Sequence, residues 1–239
     1  MVNIKLAGIP LGLHHRFPEL LELCKDYVTD EPPVREIRVS PKDLEQEREC
    51  QPGDYSDGYL ETVCLYRQLA HTLLDFDVFL LHASVVEVDG CGYAFLASSG
   101  TGKTTQTRLW LEHFGHRARI INGDKPLIRA VPHENGWEFM ACGTPWCGKE
   151  GLGCNRTVPL KALFFLERSK EPSCEVAPEV YCVDRIFHQL LMPQEPERML
   201  SLLSLTDRLI GSVPAYILRC DMTDASVLAA WNAVQKKAL

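Results

Sequence analysis

The sequence predicts an α/β fold, and three observations predict it. Apolar, β-branched runs alternate along the chain with segments whose apolar residues recur at helical spacing. A Gly/Ser/Thr-rich turn, Ala97 to Thr105, joins a run of the first kind to a segment of the second. With 239 residues, 46% hydrophobic and 24% charged, the chain can bury a substantial core as one domain. Residues 1–78 are set apart within it as a candidate N-terminal subdomain.

The elements follow in order. Asn3 to Leu13 reads as a strand, Glu19 to Tyr27 as a helix and Val34 to Val39 as a further strand. Glu31-Pro32-Pro33 and Gln51-Pro52-Gly53-Asp54 punctuate loops, and the charged run Lys42 to Glu49 reads as a solvated helix or loop face. Tyr59 to Leu74 carries Leu60, Val63, Cys64, Leu69, Leu73 and Leu74 at helical spacing, so a helix packed on the sheet is expected. Leu80 to Val88 and Gly92 to Ala97 are strands joined by Asp89-Gly90, a strong two-residue hairpin signal. Thr104 to Phe114 alternates Leu109, Trp110 and Phe114 with Gln106, Arg108 and Glu112, a helix that Gly115 stops. Further on, Gly136 to Met140 and Leu160 to Glu167 read as strands, the second fully buried, with a Gly-rich loop from Gly143 to Gly153 between them. Arg185 to Met192, Arg198 to Ile210 and Ser226 to Lys236 look helical, and Pro214 to Leu218 is a short strand.

The chemistry is concentrated in Ala97-Ser98-Ser99-Gly100-Thr101-Gly102-Lys103-Thr104-Thr105. In a phosphate-binding loop of the G-x-x-x-x-G-K-[ST] type, glycines let backbone N–H groups crowd around phosphates. The lysine reaches the β/γ oxygens, and the following hydroxyl binds Mg²⁺. Lys103 and Thr104 fill those two positions, and the pattern's first glycine is Ala97. A second carboxylate for the Mg²⁺ is expected from Ile120-Ile121-Asn122-Gly123-Asp124, an apolar run ending in Asp124 one helix after the loop, as a neighbouring strand would deliver it. Asn-Gly-Asp is also good turn chemistry, which leaves Asp124 a plain turn residue as the alternative.

Ser99 to Thr105 resembles the kinase-1 motif of phosphoenolpyruvate carboxykinases and the related HPr kinase/phosphorylases. Leu81-His82-Ala83, Val85 to Val88, Gly90 and Gly92 to Leu96 are similar in order and length to the His-containing strand and hairpin before the loop in HPr kinases. His116 to Asp124 resembles their strand ending in paired aspartates, with Gly123 in place of the first. A weaker likeness runs through Gly143-Thr144-Pro145-Trp146 and Pro159 to Glu167. The resemblance implies a P-loop core of the HPr kinase/phosphoenolpyruvate carboxykinase type, a mixed sheet with flanking helices. It implies ATP or another nucleotide with Mg²⁺, and phosphoryl transfer to a hydroxyl on a small molecule, a peptide or a small protein, a serine above all. It sets His82 close to the phosphates, gives Glu150 in Gly148-Lys149-Glu150-Gly151 a place comparable to the family's acidic motif, and makes Trp146, Lys149 and Glu150 candidates for substrate contacts. HPr kinases are hexamers, so a homo-oligomer is a further implication. A full carboxykinase needs a longer chain and an Arg-lined oxaloacetate site that is not found here.

Other readings stay open. Ser98 to Thr105 can serve a kinase, an ATPase or nucleotide switch, or a noncatalytic binder of a phosphate-bearing ligand. Asp124 can hold the metal or take the acceptor's proton, and His82 can be structural. Arg129, Arg156, Arg168, Arg185 and Arg208 can each brace a transferring phosphoryl group. A formal charge of -7 argues against nucleic acid or anionic membranes as partners. Met1 to Leu13 is broken by glycines and a proline, with no targeting or spanning signal, so the cytoplasm is the expected address. The ten cysteines have no C-x-x-C spacing and read as small buried hydrophobes; Cys142, Cys147 and Cys154 with His133 lack the close pairs of a zinc site.

Overall fold

The computed structural model describes residues 1–50, 53–134 and 136–237; Gln51 and Pro52, read above as the start of a loop, lie outside them. The chain opens with β1 (Val2–Leu6) and β2 (Ile9–His14), an antiparallel hairpin. Its turn residues Ala7 and Gly8 both have positive φ (49° and 79°), which is why the single strand expected over 3–13 is two. Helix α1 (Glu19–Cys24) follows, then β3 (Arg35–Arg38) parallel to β2 and α2 (Pro41–Cys50). Helix α3 (Asp57–Leu73) starts at Ser56, whose side chain accepts a hydrogen bond from the Tyr59 N–H. Its buried stripe, including Leu60, Leu65 and Leu69, packs with Ile4, Leu11 and Leu13 of the small sheet. That core runs on without a break into Val78, Leu80, Leu127 and Trp146.

Strands β4 (Val78–Leu80), β5 (Ser84–Val88) and β6 (Cys91–Leu96) come next. Leu80 to Val88 is thus broken rather than continuous. Its middle residues bond to separate partners: the Leu81 N–H to Pro126 O, the His82 N–H to Gln189 O and the Ala83 N–H to Asp124 O. The β5–β6 turn is Asp89-Gly90, as expected, with φ 50° and 81°. Then follow α4 (Lys103–Phe114), β7 (Ala118–Asn122), β8 (Leu127–His133), β9 (Gly136–Cys142), β10 (Thr157–Arg168) and β11 (Ser173–Val176). The chain closes with α5 (Glu179–Phe187), α6 (Pro196–Ser212), β12 (Ala215–Cys220) and α7 (Asp224–Lys237). Helix α5 begins six residues before the expected Arg185, because Pro178 occupies its N-cap and Gln189 is already diverted to His82.

The large mixed sheet has the order β4-β8-β9-β10-β6-β5-β7, with β12 on β10 and β11 on β12. Strand β10 makes this branching work. Its first residues pair antiparallel with β9, Leu160 to Phe165 run parallel to β6, and Leu163 to Arg168 run parallel to β12. Both faces are covered, which explains its unbroken apolar run. Phe95, Phe164 and Tyr216 face Trp110 of α4 and Val227 of α7. On the opposite face Leu96, Leu163, Phe165 and Ile217 meet Ile186 of α5 and Leu202, Leu205 and Leu209 of α6. Among the described residues no helix is long and apolar enough to cross a membrane.

Candidate active site

Strands β6 and β7 are each antiparallel to β5, with Ser84 opposite Phe95 and Val85 opposite Asn122. Both therefore leave the sheet where β5 enters it. His82 before β5, Ala97 after β6 and the turn after β7 consequently stand along one edge. The strand leading to Asp124 differs from the neighbouring strand that the sequence predicts, since β5 lies between β7 and the loop strand β6. The Ser84 hydroxyl fastens the edge by donating to Gly123 O at 2.6 Å.

The loop between β6 and α4 turns through Gly100 (φ 77°) and Gly102 (φ 127°), and around both a Cβ would find open space. Conformation rather than crowding demands glycine at these two positions. Gly102 leaves the first turn of α4 without a side-chain cap, so its backbone N–H groups are open to an anion lying in the loop, with Ser98 and Ser99 exposed on the rim. Lys103 is only 9% exposed, and its Nζ donates to Ala97 O across the loop at 2.6 Å. Burial pushes its pKa down, while the Asp124 charge partly restores it and Lys125 opposes that. Among the described residues the half-buried Thr104 and Thr105 hydroxyls have no hydrogen-bond partner.

Asp124 is presented by a turn that the fully buried Asn122 holds shut. Its Oδ1 accepts from the backbone N–H groups of Asp124 (2.8 Å) and Lys125 (2.7 Å), and its Nδ2 donates to Thr144 Oγ1 (2.9 Å) and Thr144 O (3.2 Å). The Asn-Gly-Asp turn expected from the sequence is present, and it sets the Asp124 carboxylate at the sheet edge. The carboxylate meets His82 Nε2 at 3.1 Å on one oxygen and Lys125 Nζ on the other. The His82 hydrogen bond, and after it Lys125, hold its pKa well below the usual carboxylate range against the opposing effect of burial. Gly123 has a local reason: a Cβ there would stand 3.1 Å from both Cys147 O and Leu152 O, so the 147–152 segment fills the space a second aspartate would need.

Among the described residues no three His, Cys, Asp or Glu side chains gather into a metal cluster. One carboxylate and one hydroxyl, all oxygen, nevertheless fit Mg²⁺, which usually takes a carboxylate or two and completes its shell with water and substrate phosphates.

No family model matches the chain, and no curated protein matches it in sequence. Among solved structures it is similar to the Hpr(Ser) kinase/phosphatase from Coxiella burnetii, at 8% identity and a TM-score of 0.38, over 67% of this chain and 99% of that one. This is a distant structural relationship.

The arginines separate by position. Arg129 donates to Ala7 O (2.8 Å), Arg156 pairs with Glu87 (3.3 Å), and Arg208 stacks on Trp137 (4.3 Å), all structural contacts away from the edge. Arg168, at the end of β10, donates to Gly100 O and Thr101 O. Arg185, stacked on Tyr181, shares with Ala97, Ser98 and Thr101 a hollow of about 220 Å³. A second hollow of about 220 Å³ opens at His82 and Lys125, and a third of about 550 Å³ at Asp124, Lys125 and Trp146. Neighbouring hollows share lining residues, so the three lie side by side along the edge as a segmented trench. Trp146 turns inward, stacked on Tyr66 at 4.3 Å and donating from Nε1 to Thr62 O at 3.1 Å. Lys149 lines the third hollow, whereas Glu150 pairs with Arg108 of α4 at 2.6 Å.

Sequence reasoning missed Gln189. Its buried side chain faces the carbonyl oxygens of His82 and Ala97, and its amide nitrogen, turned towards them, donates to both (3.1 and 3.2 Å). It braces the two sides of the site, and nothing near it in sequence signals that.

Proposed function

We propose that this chain is an ATP-dependent phosphotransferase of the HPr kinase-like, P-loop kind, moving a phosphoryl group to a hydroxyl acceptor. The observation that carries the reading is the convergence of a buried Lys103 ammonium, the uncapped start of α4 and the ionised Asp124 at one sheet edge. The loop N–H groups from Ser98 to Thr105 and Lys103 hold the β- and γ-phosphates, Lys103 exchanging its bond to Ala97 O for a phosphate oxygen. Thr104 and Asp124 would hold Mg²⁺, which when bound would neutralise charge on the phosphates. Arg185 and Arg168 stand where a guanidinium can brace the transferring group. The acceptor oxygen forms the new P–O bond, the bridging P–O bond to ADP breaks with its electron pair going to the ADP β-phosphate, and the acceptor's proton passes to solvent water. Asp124 is positioned by His82 and Lys125 and stays ionised throughout. All ten cysteines are free, which suits a reducing cytoplasm.

The test is ³¹P NMR of the protein with Mg²⁺-ATP, alone and with pools of hydroxyl metabolites and serine-containing peptides, with Lys103→Ala as blank. A phosphoester resonance missing from the blank is the expected result. Acceptor-independent phosphate release would instead make the chain an ATPase or switch, and unchanged ATP would leave a noncatalytic binder.

A further inference from the structure

The third hollow is the largest of the trench, about 550 Å³, and lies between α1, α3 and the 145–149 segment. That volume is in the range of small-molecule sites. Its wall is apolar and aromatic, from Leu23, Val63 and Trp146, and Asp124 and Lys125 stand on its lining. Its charges are unequal in what they have left to offer. Glu19 also borders it, but its carboxylate rests against Gly58 in the first turn of α3, where a Cβ would fall 2.1 Å from Oε1, and so faces a helix N-terminus. The Asp124 oxygens are engaged by His82 and Lys125. On the cationic side Arg67 spends Nε and Nη2 on Glu47. Lys149 is exposed and has no ion-pair or hydrogen-bond partner among the described residues. Gly148, at φ 85°, brings that lysine close, because its backbone lies directly on Asp124, with a Cβ position 3.0 Å from Asp124 Cβ. Lys149, with no partner of its own among the described residues, thus lines the same hollow as Asp124 and follows directly on the residue packed against it.

Resting on the phosphotransferase reading, we infer that the acceptor is a small anionic alcohol, a short hydroxyl-bearing carboxylate, bound in this hollow. Its hydroxyl lies at the Asp124 end and its carboxylate on Lys149. The apolar wall takes the carbon chain.

Steady-state phosphoryl transfer from Mg²⁺-ATP to a pool of short hydroxy carboxylates, with glycerate as the single probe, is compared with transfer to matching neutral polyols, with glycerol as its counterpart. Nucleotide affinity is measured separately. Hydroxy carboxylates are expected to be the better acceptors by about tenfold or more in kcat/KM, the worth of a charge-assisted hydrogen bond. Lys149→Gln should raise the acceptor KM by about that factor with kcat and nucleotide affinity little changed, and Lys149→Arg should restore it. Val63→Trp, which fills the hollow, should abolish transfer to glycerate and leave Mg²⁺-ATP binding intact. Equal use of glycerol and glycerate, or transfer to serine peptides that Val63→Trp leaves untouched, would overturn the inference while sparing the phosphotransferase reading. Nucleotide binding with no phosphoester formed from any hydroxyl compound would overturn that reading itself, and the inference with it.

Discussion

Replacing Asn122 by alanine tests how the candidate site is held. The side chain is fully buried and makes four hydrogen bonds of normal length, two accepted from the Asp124 and Lys125 N–H groups and two donated to Thr144. Each is worth about 1 kcal/mol net, and more where its partner is left buried without a replacement. With four such bonds lost, the expected cost is about 3–4 kcal/mol. For a chain of this length that lowers the melting temperature by roughly 10 °C. Thermal and urea unfolding followed by circular dichroism measures it. Thr144→Val removes the hydroxyl that accepts from Asn122 and donates to Lys125 O at 2.9 Å. The double variant should therefore be less destabilised than the sum of the two by about 1 kcal/mol. An Asn122→Ala cost under about 1 kcal/mol, or strict additivity with Thr144→Val, would refute the claim that this side chain builds the turn.

Other expectations follow from the same contacts. Gly143→Ala should unfold or fail to accumulate, because a Cβ there would sit 1.8 Å from Cys154 O, whereas Gly123→Ala, at 3.1 Å from two backbone oxygens, should cost about 1 kcal/mol; equal melting temperatures would contradict the close crossing of the 143–154 segment over β7. Asp124 has a folded pKa depressed below its unfolded value, so its contribution to stability is present above roughly pH 4 and lost as the pH falls through the folded pKa. The difference in unfolding free energy between the wild type and Asp124→Asn should accordingly be constant near neutrality and shrink in acid, and a difference that grows on acidification would reverse the sign of the assignment. Burial pushes the Cys24, Cys64 and Cys174 thiols up to about 12. At roughly pH 8.5, where an ordinary thiol is half ionised, iodoacetamide should label the exposed Cys50 first and spare those three, as peptide mass spectrometry can read.

What was legible in the sequence was local. The loop from Ala97 to Thr105, the helix that leaves it and the Asp89-Gly90 hairpin each depend on residues within a few positions of one another. Their glycine conformations and apolar spacing can be read without knowing any partner. Strand order was not legible, since it depends on pairings across the chain. Nothing near Asp124 reveals that β5 separates its strand from β6, or that β10 switches from β9 to β6 along its length. The placement of Arg168 beside the loop comes from that same topology, because β10 runs parallel to β6 and ends there. Strand β8 was hidden by Pro126, which closes the Asn122 turn before the strand begins at Leu127. Trp146 and Gln189 show the limit for side chains. Both are decided by contacts with residues far away in sequence, Tyr66 and Thr62 for one, His82 and Ala97 for the other.

Calorimetric titration of Mg²⁺-ATP into the wild-type protein and Lys103→Ala tests the central claim most directly. The account predicts saturable one-to-one binding that needs Mg²⁺ and is weakened at least about tenfold when the buried ammonium is removed, the worth of a hydrogen bond to a charged group. Absence of binding to the wild type, or equal affinity in the two proteins, would contradict a nucleotide-phosphate site at the start of α4.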